Sequence, residues 1–158
     1  MVAALVLSVS ATFAQIQEPP IPVRSADNNS IAGSWQVKST PDGAPSFRGL
    51  ITFSEGGGMI ASAQGDNLIN AGSLATPGHG AWSRTGNREF LFTFIQVLYN
   101  ADGEYDGMIR IRHTATMNKS GNTWAGQLTL EVFDPGDNLV FTGTGSGTAT
   151  RIVPLPLL

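Results

Sequence analysis

The chain has 158 residues, enough for one hydrophobic core and too few for two. Only 13% of them are charged while glycine reaches 19, a balance that suits strands and tight turns and argues against long helices. Nine Lys and Arg stand against twelve Asp and Glu, for a net charge of −3, and no basic run interleaves with aromatics. That argues against nucleic acid as a partner. The absence of cysteine removes disulfides and thiolate metal sites.

Residues 1–14 (MVAALVLSVSATFA) form an uncharged apolar run too short to span a bilayer, ending in small residues around Phe13. They read as the end of a secretory signal peptide whose basic start lies upstream of Met1, which places the mature protein outside the cytoplasm or in a periplasm. Residues 15–30 carry Pro19, Pro20 and Pro22 and then a polar cluster, the composition of an extended linker. The folded domain is expected over residues 31–152, with 153–158 as a C-terminal tail. No transmembrane segment is expected.

Seven turn signals divide that domain, among them Pro41-Asp42-Gly43, Gly56-Gly57-Gly58, Asp102-Gly103 and Ser120-Gly121-Asn122. They leave about eight strands. These are predicted at 33–40, 47–54, 59–64, 79–83, 88–99, 105–117, 123–133 and 139–152. Period-two alternation is clearest late in the chain. Phe90, Phe92, Phe94, Gln96 and Leu98 share one face, as do Trp124, Gly126, Leu128, Leu130 and Val132. In 105–117 the odd face carries Ile109, Ile111 and His113 and the even face Arg110, Arg112, Thr114 and Thr116, which sets the arginines outside, paired with Glu131. The last strand alternates hydroxyls with Gly143, Gly145 and Gly147, leaving room for facing side chains or a ligand.

Strands this long in an open sheet would leave two exposed edges. The fold class expected is therefore all-β, an eight-stranded antiparallel up-and-down barrel, with a two-sheet β-sandwich as the alternative. Register follows from the turn at 119–122, which sets Asn118 opposite Thr123. Counting outward pairs Arg110 with Glu131, Ile111 with Leu130 and His113 with Leu128.

Gly33-Ser34-Trp35 at the head of the first strand, with Arg151 near the end of the last, resembles the lipocalin and wider calycin signature. That resemblance implies barrel closure by Trp35 and Arg151, the indole packed under the guanidinium. In an even-stranded antiparallel barrel the two ends meet, so Arg151 is placed to stack on Trp35 and cap nearby carbonyls. The second and third lipocalin motifs have no counterpart. The stretch 76–82 with 84–87 is similar to small secreted bacterial proteins, a likeness that implies no activity.

Chemistry is sparse. Only His79 and His113 are present, too few for a three-histidine zinc site, and no metal is expected. The run 100–106 alternates oxygen ligands but lacks the spacing of a calcium loop, and the glycines at 56–58 lack the lysine and helix of a phosphate loop. His113 points inward, where its plain role is a core histidine bonded to a backbone carbonyl or to Gln96. The sequence thus points to a non-catalytic barrel binding a small hydrophobic molecule through Trp82, Phe90, Phe92, Phe94, Gln96 and His113, with no cofactor. One alternative is a cofactor-free cyclase or isomerase using His113 as acid/base with Gln96 as orienting donor. Another is a structural or protein-binding domain with a filled interior. Oligomeric state is not legible. An internal cavity of several hundred Å³ would favour the first two readings and a filled barrel the third.

Overall fold

The computed structural model describes residues 29–63 and 74–156. These form nine strands: β1 (Gly33–Pro41), β2 (Phe47–Phe53), β3 (Gly58–Ala63), β4 (Leu74–Ala75), β5 (Gly78–Gly86), β6 (Glu89–Tyr99), β7 (Tyr105–Met117), β8 (Thr123–Phe133) and β9 (Leu139–Arg151). All pairings are antiparallel, and β9 returns to lie against β1, from Trp35 opposite Arg151 to Pro41 opposite Gly145. Eight strands thereby close into an up-and-down barrel, and one continuous closed sheet excludes the sandwich. No helix of the described residues is long and apolar enough to cross a membrane.

The ninth strand is the element the turn signals did not reveal. β4 and β5 lie on the same side of β6, with Ala75 opposite Leu98 and His79 opposite Ile95. Pro77, lacking an N–H, breaks the ladder between them. Thr76 bridges the gap, donating its N–H to the Val97 carbonyl and accepting the Val97 N–H on its hydroxyl, both at 3.0 Å. The hairpin after β5 also differs from expectation. β5 runs through Gly86 with a register shift after Arg84, and Arg88, expected in β6, sits in the turn with φ 65°. The signal-peptide run, linker residues 15–28 and the predicted strand end at Gln64 lie outside the described residues.

The β7–β8 hairpin has the predicted register: Arg110 opposite Glu131, Ile111 opposite Leu130, His113 opposite Leu128 and Met117 opposite Trp124. Alternation then sorts the faces. Trp35, Val37, Ile51, Phe53, Met59, Phe90, Phe92, Met117 and Trp124 turn inward and are buried, whereas Gln36, Lys38, Thr148 and Thr150 face outward. Each slip of one residue would exchange these sets, so burial holds the register.

One end of the barrel is sealed. The Arg151 guanidinium lies 4.2 Å from the Trp35 ring centroid and donates to the carbonyls of Gly121 (2.8 Å), Ala32 (2.7 Å) and Ser30 (2.7 Å). The Trp35 indole N–H donates to the Ile31 carbonyl at 2.8 Å, drawing a fully buried Ile31 across the end. The Arg84 guanidinium holds the Asn29 carbonyl as well, so the last residues of the expected linker belong to the barrel. Replacing Arg151 by lysine should lower stability by about 1–3 kcal/mol, because a single ammonium does not span three carbonyls. Chemical denaturation of wild type and R151K checks this, with no loss as the contrary result.

Candidate functional site

The inside of the barrel divides into two unlike halves along its axis. In the sealed half, ring contacts run without a break. Phe53 meets Trp82 at 6.3 Å and Phe92 at 5.0 Å between centroids, Trp82 meets Phe90 at 5.9 Å, and Trp124 meets Trp35 at 6.4 Å and Phe92 at 5.8 Å. Edge-to-face packing of this kind fills space and adds to the burial of each ring.

His113 closes this cluster toward the middle of the barrel. Its imidazole stacks on Phe92 (4.8 Å, 8° between planes) and meets the edge of Trp124 at 5.1 Å. The regular β7–β8 ladder is interrupted at Thr114 and Ala115, where the Thr114 hydroxyl accepts the Gln127 N–H at 3.2 Å. The freed Thr114 carbonyl accepts the His113 Nδ1–H. It occupies space that only glycine leaves, since a Cβ on Gly126 would lie 1.7 Å from that oxygen. Gly147 performs the same service on the far side, where a Cβ would stand 2.4 Å from His113 Nε2. The stripe of glycines in β9 is thus used by side chains of the protein itself, with Gly143 covered by the Phe141 ring.

With its Nδ1 proton committed to Thr114, the imidazole presents Nε2 as a buried lone pair that has no partner, and Trp124 Nε1–H is a buried donor in the same position. Burial lowers the His113 pKa from 6.5 to about 4, the Thr114 bond opposing the shift. The side chain is neutral at ordinary pH, and among the described residues the hydrogen-bond partner of its ring is a backbone carbonyl. Gln96 is far along the same wall: it pairs with Ile109, whereas His113 pairs with Phe92, and its Nε2–H donates to the Thr76 carbonyl at 3.0 Å. The structure does not bring the sequence-derived acid/base residue and its orienting donor together.

The six residues expected to line a single mouth are accordingly spread along the barrel. Trp82, Phe90, Phe92 and His113 belong to the sealed half. There the Trp82 indole donates to the Ser54 carbonyl at 2.9 Å and Phe90 lies under the Arg84 guanidinium. Phe94 and Gln96 belong to the other half. Phe94 seats in a notch made by Gly78 and Gly80, since a Cβ at either would come within 2.7 Å of it. Sequence reasoning missed Trp124, whose indole N–H is orphaned, and the Thr114 carbonyl. A hairpin register alone does not show where a ladder gives way.

The half away from the seal is built differently. Leu98 and Ile109 are buried there but stand apart from the contiguous aromatic core. Toward the rim Leu130 and Val132 on one wall and Ser39, Gly49 and Ala63 on the other remain partly accessible, as does Ile111 at mid-height, where it packs against the aromatic core. Small residues on β1 to β3 thus face large apolar ones on β7 and β8. Outside the barrel, a hollow of about 520 Å³ runs over β1, β7, β8 and β9. Beneath the outer surface Glu131 is held by Arg110 Nε (2.6 Å) and by Arg112, as expected from their register. No family model matches the chain, and no curated protein is similar to it.

The buried imidazole has a pH signature with a definite sign. Its folded pKa is depressed, so it contributes stability above the unfolded value of 6.5 that is lost as pH falls through about 4. A shift of that size corresponds to roughly 3 kcal/mol by the usual conversion. His113→Leu should therefore unfold with a flatter stability profile between pH 6.5 and 4 than wild type. Parallel profiles for the two proteins would mean that His113 is not the titrating group.

Proposed function

We propose that the protein is a secreted, non-catalytic, lipocalin-like barrel that holds a small apolar molecule in the half of its interior away from the Trp35–Arg151 seal. The observation that carries this reading is the contrast between the halves. Inward-facing Ile111, Leu130 and Val132 keep partial access to solvent while Phe53, Phe90, Phe92, Trp35 and Trp124 are wholly enclosed. Partly wet apolar side chains opposite small ones define a concave, apolar surface, the character of small-molecule sites. Gln96, buried beside it at 5% exposure, is the polar group nearest to that surface along β6. The lipocalin likeness adds the Trp35–Arg151 geometry and the closed meander, and the apolar, small-residue run at the N-terminus supports export.

Among the members of the set derived from sequence, Phe94 and Gln96 fit this site. Trp82, Phe90, Phe92 and His113 act as its floor and as the solid body of the domain. The role of His113 is packing: its proton is committed to a backbone oxygen, and general acid/base work needs a hydrogen-bonding position open to a substrate.

A filled, structural or protein-binding barrel is the second reading, favoured by the solid aromatic half and by hollows of about 520 and 300 Å³ that lie on the outside. The two readings separate on one experiment. A neutral naphthylamine dye titrated into the protein should bind and brighten, and Leu130→Trp, which fills the accessible half, should weaken that binding at least about tenfold while leaving the melting temperature nearly unchanged. Trp82→Phe should bind the dye as wild type does. Absence of dye binding, or equal loss in both variants, would favour the filled barrel.

A further inference from the structure

We infer that the outer hollow over β1, β7, β8 and β9, with its β2 margin, is a second binding site, one for an acidic oligosaccharide. The site is independent of the barrel interior. Its lining includes Lys38, Arg48, Thr116, Thr123, Thr148 and Thr150, and no carboxylate.

The two cations are the first reason. Lys38 and Arg48 stand directly opposite each other across β1 and β2, and like charges in that relation repel. Elsewhere on the surface the protein resolves the same problem, since Arg110 and Arg112 share Glu131. Among the described residues no ion pair serves Lys38 or Arg48. An anion placed between them would relieve the repulsion and satisfy both donors, the guanidinium in a forked geometry suited to carboxylate or sulfate.

The reach of the hollow is the second reason. The register lines up Arg48, Lys38, Thr148, Ala125 and Thr116 on five successive strands. Four steps of about 4.8 Å make this row roughly 19 Å long when followed around the barrel wall. A single small ion would occupy only the cationic end. An elongated ligand continues past Lys38 over Thr148 and Thr150 to Thr123 and Thr116, whose hydroxyls both donate and accept, as sugar hydroxyls do. The Ala125 methyl, lying between hydroxyls in the row, supplies an apolar spot for the face of a sugar ring. The ligand class that matches anion, length and hydroxyls together is a carbohydrate carrying uronate or sulfate groups. Stacked bases would need exposed aromatic platforms, which this face does not offer.

Calorimetric titration with a short oligogalacturonate tests the assignment, with its fully methyl-esterified form and sodium sulfate as comparison ligands. The expected result is saturable binding of the acid form, at least tenfold weaker for the ester, falling with added salt as screening requires. Lys38→Gln with Arg48→Gln should cost tenfold or more, and Thr148→Val with Thr116→Val about threefold. All four positions are exposed to a degree that lets the variants fold. Equal binding of acid and ester, no binding of the acid, or no response to the threonine variants would overturn the site. Sulfate alone matching the acid form in affinity would show an adventitious ion only.

Discussion

Closure of the sheet rests on Arg151. An eight-stranded meander has two free edges until its last strand meets its first, and here backbone pairing carries the seam to Arg151 and on to the Ile152 N–H, which donates to the Ser34 carbonyl at 2.8 Å. One guanidinium finishes the seam by reaching three carbonyls from two segments, Ser30 and Ala32 before β1 and Gly121 in the β7–β8 turn, while lying over the Trp35 ring. Burial pushes the pKa of Arg151 below its ordinary value, but the group starts so high that it keeps its charge and all its donors. Trp35 is the other half of the device, because its indole pulls the Ile31 carbonyl over the end it caps. The seam fixes which strands are neighbours, while alternation sorts the faces and packs the aromatic core at the sealed end.

From the seal inward, packing proceeds by fitting large groups into places vacated by glycine. His113 enters the core because Gly147 has no side chain, and its Nδ1 is satisfied because Gly126 admits the Thr114 carbonyl. Phe94 seats in the wall because of Gly78 and Gly80. A dense interior of this kind tolerates little change in volume, which makes the sealed half a rigid floor. In the other half Phe94, Leu98 and Ile109 are buried as well, but Leu130 and Val132 on the facing wall stay partly accessible. One barrel therefore combines a densely packed aromatic base with a rim where Leu130 and Val132 are partly accessible, and its outer face carries a hollow lined in part by Lys38, Arg48 and four threonines.

Much of the architecture was legible because alternation is a strong signal over strands of eleven to thirteen residues, as in β6, β7, β8 and β9. Trp35 and Arg151 were legible as a pair through the resemblance of Gly33-Ser34-Trp35 and Arg151 to the calycin signature, and topology supported it, since closure brings positions 116 residues apart together. The site was less legible. Parity places Trp82, Phe92 and Gln96 on the inner face without saying at what height along the barrel each stands, so residues from both halves were read as one mouth. Height depends on register across all strands and on the bulge at Thr85, which no local pattern reveals. Likewise the role of the β9 glycines needed the facing strand, since an empty position looks the same whether a ligand or an imidazole fills it.

The claim that the interior is solid at one end and accessible at the other is tested most directly by methyl NMR under xenon pressure, because xenon enters apolar cavities and moves the signals of the groups that line them. Progressive shifts are expected for the methyls of Ile111, Leu130, Val132 and Leu98, with those of Ile51, Met117 and Ala149 unmoved. Shifts at the sealed end, or none anywhere in the barrel, would contradict it.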